Sequence, residues 1–208
     1  MAFAALAGLV ASGAATGLDR WAAEHAMPLA GAPGNAPTLS ESLVPLLHAG
    51  WHPVGIAVAQ IVTLPGQVLL SFVLVSLASW KLRAPGWIAA WLLAVAVEVV
   101  FRHALTRPPV YRHGVHLVGL DMSWPSGHAL RCALVAAALA AAWPRLRVPL
   151  GVWLVTAVVL LELAGFHTVT DVVGGLLLAI VAVVGVVELE RSGLLRRRAA
   201  LRRRGTRA

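Results

Sequence analysis

Three short segments concentrate the side chains able to do chemistry: Arg102-His-Ala-Leu-Thr-Arg107-Pro-Pro, Trp124-Pro-Ser-Gly-His128 and Gly165-Phe-His-Thr-Val-Thr-Asp171. Pro-Ser-Gly ahead of an apolar run is a helix start. Ser126 can cap it, and Gly127 lets backbone N–H groups approach an anion, with His128 in the same first turn. His167 and Asp171 are four residues apart. On a helix they share a face, so the carboxylate can hold one imidazole nitrogen as N–H and leave the other free as a nucleophile or base. Arg102 and Arg107 carry planar, permanently charged forks suited to phosphate oxygens. Two histidines, an aspartate and several arginines describe phosphoryl transfer through a histidine better than any other reaction these residues allow.

The elements that must position them are membrane helices. Of 208 residues, 59% are hydrophobic and only 12% charged, too few polar groups to cover a water-facing surface. That composition excludes a disordered chain, a coiled coil and a disulfide scaffold, and Cys132 is the single cysteine. Apolar stretches run over roughly Ala2–Leu18, Val54–Trp80, Gly86–Leu105, Ala129–Trp143, Val148–Ala164 and Val172–Val187. They predict an all-α, polytopic integral membrane protein with six transmembrane helices in a bundle, one domain over residues 1–190, followed by an Arg-rich tail at 191–208. Ala2–Leu18 lacks a basic leader and reads as a retained span. Pro65-Gly66 interrupts the second stretch and predicts a kink or an interfacial start. Residues 19–50 form the connecting loop; Ala32–Pro37 is turn-rich, and Thr38-Leu-Ser-Glu-Ser can open a short interfacial helix.

Charge placement sets the expected orientation. Lys81, Arg83, Arg145, Arg147 and the arginines after Glu190 account for twelve of the seventeen basic residues. The positive-inside rule puts these segments, and with six spans both termini, in the cytoplasm of a multi-pass cell-membrane protein. The tail reads as an orientation signal that contacts anionic lipids rather than nucleic acid. Arg20, Arg102, Arg107, Arg112 and Arg131 then face outward with all eight histidines, and ionisable groups at membrane depth are functional candidates. His25, His48, His52, His103, His113 and His116 read as satisfied core or interfacial groups. Carboxylates are sparse beside the eight histidines, which argues against a metal site or a metal transporter. Glu98 and Glu162 are expected to pair with arginines. Trp80, Trp87, Trp143 and Trp153 at the inner boundary, with Trp51 and Trp124 at the outer, read as an aromatic belt. Gly174-Gly175 predicts close helix packing.

Pro125-Ser126-Gly127-His128, followed by His167-x3-Asp171 at the next outer-facing helix start, resembles the type-2 phosphatidic acid phosphatase (lipid phosphate phosphatase) superfamily over roughly residues 98–185. The resemblance implies a metal-independent lipid phosphatase without cofactors. In it His167 is the nucleophile, Asp171 orients His167, and His128 protonates the leaving group. Ser126 and Gly127 donate hydrogen bonds, and Arg102 and Arg107 grip the phosphate. It further implies an outward-facing site acting on a lipid phosphate or polyprenyl diphosphate. The family's first motif is Lys-x6-Arg-Pro. With Arg102 as its lysine, the Arg-Pro positions fall on Pro109 and Val110; with Arg107-Pro108 as the Arg-Pro, the lysine position is Val100. The Ser-Arg of the third motif falls on Leu160-Leu161. Arg131, three residues beyond His128, is expected to reach back and supply the charge that Leu161 lacks; the alternative is a pair with Glu98 or Glu162. A different class of function fits the same residues, a degenerate scaffold or carrier that binds lipid phosphate without turnover.

Overall fold

The computed structural model describes residues 1–27, 51–112, 115–117 and 120–205. The turn at 32–37, the helix start at Thr38, His48 and His113 lie outside the described residues, as do the side chains of Trp51, His52, Arg112 and the tail beyond residue 193. The described chain is helical: α1 Ala2–Ala11, α2 Thr16–His25, α3 Trp51–Thr63, α4 Val68–Leu82, α5 Gly86–Ala104, α6 Gly127–Ala142, α7 Arg147–Leu163 and α8 Val169–Gly205. Between α5 and α6, Tyr111–Arg112 and Val115–His116 pair as a two-residue antiparallel ladder.

Among the described residues three helices are long and apolar enough to cross a bilayer: α5, Pro144–Leu163 and Val169–Gly193; counting each of two bent pairs as one span raises the number to five. The expected first span is broken: α1 turns 81° into α2, and its ten residues rise only about 15 Å, half of an apolar core about 30 Å thick. Pro65-Gly66 does bend the second stretch, by 45° between Val54–Gly66 and Val68–Leu82, through a short 3-10 turn at Leu64–Gly66. Along α7, Val148, Val152, Val155 and Val159 form an exposed apolar stripe, a face that lipid rather than water satisfies. Helix α8 runs on through the Arg-rich segment expected after residue 190, as far as Gly205.

At 16 residues α6 is shorter than a full span, and its place explains its composition. It packs against α4, α5, α7 and α8. Leu130, Leu134, Val135 and Ala138 join Trp87, Trp91, Leu178 and Val186 in the main core. Surrounded on all sides, it needs small residues that admit close neighbours rather than large lipid-facing ones. Glycines of its neighbours set the contact distances. A Cβ on Gly66 would stand 2.7 Å from Cys132 Sγ, one on Gly174 2.8 Å from the Trp124 indole nitrogen, and one on Gly175 would overlap the Ser126 carbonyl. Gly174-Gly175 thus performs the close packing its pairing predicts.

The aromatic belt is corrected at two positions. Trp124 and Trp87 are 2% and 4% exposed and belong to the interior. Trp124 stacks on Phe3 and meets Phe101 edge-on. Trp80 is 77% exposed.

Candidate active site

Two hydrogen bonds stitch the second chemical segment to the third. The Trp124 indole donates to the Thr170 carbonyl at 3.1 Å, and the Ser126 N–H donates to the Asp171 carbonyl at 2.9 Å. They draw the starts of α6 and α8 together, so residues some forty-five apart in sequence meet. Ser126 caps α6 as its position predicts, accepting from the Ala129 N–H at 3.2 Å. His128 and His167 follow from the two helix starts with ring centroids 6.0 Å apart and planes at 52°. His167 is 7% exposed.

Asp171 stands behind His167 but is held chiefly by other groups. Its Oδ2 lies 3.7 Å from His167 Nδ1, beyond a hydrogen bond, and that nitrogen is buried without a partner. The same Oδ2 accepts from the Ser123 hydroxyl and from the Thr168 N–H at 2.9 Å, while Oδ1 accepts from Arg107 Nη1 at 2.7 Å. The orientation remains the one the spacing predicts: Nδ1 faces the carboxylate, so Nε2 is the nitrogen left for chemistry.

Arg107 departs from its expected role. Its side chain is 3% exposed. It joins two carboxylates, Asp171 and, through Nη2 at 2.6 Å, Asp19. With two buried carboxylates on its guanidinium, Arg107 ties Asp19 and Asp171 together and its charge is already matched within the protein. Asp19, unassigned by the sequence, is 1% exposed. It accepts from the Thr170 hydroxyl at 2.7 Å and the Thr170 N–H at 3.1 Å. Its only sequence signal is a carboxylate close behind an apolar run; nothing local links it to a helix 150 residues on.

A second charged group lies on the other side of the histidines. Glu98 on α5 accepts from Arg102 Nη2 at 2.9 Å and Arg131 Nη1 at 2.6 Å. Arg131 Nε also donates to the Gly66 carbonyl at 2.6 Å, which ties α6 to the Pro65-Gly66 bend. The geometry therefore realises the pairing alternative for Arg131, with Glu98, alongside any phosphate contact. Both arginines and His167 act electrostatically on His128. Gly127 is required here: a Cβ would overlap the Glu98 carboxylate and stand 2.6 Å from Arg131 Nη1. Leu161 is 1% exposed and packs with Ala129 and Val172, so an apolar cluster fills the place of the third-motif arginine.

Glu162 does not pair as expected; both its carboxylate oxygens are buried without a hydrogen-bond partner. The histidines assigned bland roles behave locally: His25 and His103 meet the carbonyls four residues back, and His116 Nε2 lies 2.9 Å from Asp121 Oδ1. No family model, no curated protein and no solved structure matches this chain.

Proposed function

We propose that this chain hydrolyses a lipid phosphate or polyprenyl diphosphate through a phosphohistidine intermediate, in the manner of the type-2 phosphatidic acid phosphatases it resembles. The observation that carries the reading is the facing pair of His128 and His167, 6.0 Å between ring centroids, over the first turn of α6 with Arg102 and Arg131 beside them. His167 Nε2 attacks phosphorus as the ester oxygen departs, and His128 gives that oxygen its proton. Water then attacks the phosphohistidine, returns a proton to His128, and releases orthophosphate and free His167. Arg102, Arg131 and the α6 amides oppose charge on the equatorial oxygens. The site lies at the end of the bundle read as extracytoplasmic from the distribution of basic residues.

The test is phosphate release from a panel of lipid phosphates, with and without EDTA, beside trapping of the phosphoenzyme. Metal-independent release by the wild type, abolished with the phosphoenzyme in His167→Ala, supports the reading; undiminished activity in His167→Ala refutes the nucleophile. A lipid-phosphate binder without turnover is the second reading. It is favoured by the engagement of Arg107 between Asp19 and Asp171, and it predicts binding without release.

A further inference from the structure

The fixed charges around the two histidines fall into two groups of opposite sign. Asp19, Arg107 and Asp171 place two carboxylates on one guanidinium. Arg102, Glu98 and Arg131 place two guanidiniums on one carboxylate. Only the second group has positive charge left for an anion, and it stands against Gly127 at the start of α6. One unpartnered donor belongs to it: Arg102 Nε is buried and makes no hydrogen bond, on a side chain 34% exposed.

Two bare arginines at a helix N-terminus would suit a phosphomonoester dianion. Glu98 changes that balance. Its side chain is 4% exposed, and its two oxygens are divided between the arginines, so one guanidinium charge is cancelled within the protein. While His128 is neutral, a dianion entering there brings one charge more than these fixed charges compensate, and a poorly compensated charge in a largely buried site is disfavoured. Arg107 cannot supply the difference, because Asp19 and Asp171 already exceed its charge.

We propose that Glu98 is a specificity-determining residue: by cancelling one of two guanidiniums it makes the site take a phosphoryl group with a single negative charge, as in a phosphodiester or a singly protonated monoester, ahead of a dianion. The proposal rests on the phosphoryl-binding reading above and narrows it. Among lipid phosphates it places diesters and half-protonated monoesters before fully ionised diphosphates.

The test uses the purified full chain in detergent, titrated with dimethyl phosphate and methyl phosphate at about pH 8, where the first is a monoanion and the second, with a second pKa near 6, is a dianion. Wild type is expected to bind dimethyl phosphate more tightly. Glu98→Gln should reverse the order, gaining on the order of tenfold for methyl phosphate, the scale of a charge-assisted hydrogen bond, and much less for the diester. Arg102→Gln keeps the buried Glu98–Arg131 pair, and with it the local packing. It should weaken both esters, the dianion more, which decides the matter if Glu98→Gln does not fold. Equal changes for both esters in either variant, a wild type that prefers the dianion, or a wild type that binds neither ester would each overturn the proposal. Lipid-phosphate turnover by the same wild-type preparation would leave the phosphatase reading standing in each of those cases.

Discussion

Asp19→Ala removes a carboxylate that the chemistry does not touch, yet it should be among the most damaging substitutions in the chain. Asp19 accepts from Arg107 at 2.6 Å and from the Thr170 hydroxyl and amide at 2.7 and 3.1 Å, all with the side chain 1% exposed. Removing one partner of a buried ion pair costs about 3–5 kcal/mol. Arg107 keeps Asp171, which sets the ionic loss at the low end. Two Thr170 donors left unsatisfied add roughly 1 kcal/mol each. The expected destabilisation is therefore about 4–5 kcal/mol, read by reversible denaturant unfolding in mixed micelles. Asp19→Asn keeps an acceptor for Thr170 and loses only the charge, so it should cost about half as much. Thr170→Val paired with Asp19→Ala in a double-mutant cycle should show a coupling of about 1 kcal/mol. If Asp19→Ala costs under about 1 kcal/mol, the Asp19–Arg107–Asp171 bridge does not hold α2 against α8, and the structural role given to Arg107 fails with it.

Other expectations follow from the same geometry. Gly127→Ala should abolish phosphate release while leaving the helices intact by circular dichroism, because its methyl group would displace Glu98 from Arg131 at the start of α6; wild-type turnover would show that this contact is dispensable. His128→Ala should slow turnover most for substrates with poor leaving groups, and a uniform effect across leaving groups would remove it as the proton donor. With cysteines introduced one at a time in a Cys132-free background, a membrane-impermeant thiol reagent should label position 115 and leave position 200 protected in intact cells. The opposite pattern would invert the proposed orientation.

The local chemistry of helix starts was legible in the sequence. Ser126 caps α6 and Gly127 stands where a Cβ would meet Glu98, because each feature depends on residues a few positions apart; His167 lies in a bend two residues ahead of α8, not on the helix, although its Nδ1 still faces Asp171. Helices apolar enough to cross a membrane were equally legible in the composition, and α7 carries an exposed apolar stripe over Val148, Val152, Val155 and Val159. Segment counting read six spans, where the described residues give three helices long enough to cross a membrane, or five when each bent pair counts as one. Ala2–Leu18 is apolar enough to be taken for a span, yet it breaks at residues 12–15 and turns 81°. What only the tertiary structure decided is the charge accounting. Arg107, Asp19 and Asp171 lie far apart in the chain, as do Glu98 and Arg131, and no local spacing reveals which carboxylate meets which guanidinium. Those partnerships are fixed by how α2, α5, α6 and α8 converge. In a low-dielectric interior every charge must find a partner, so packing determines which arginines are left for an anion and which hold the site together.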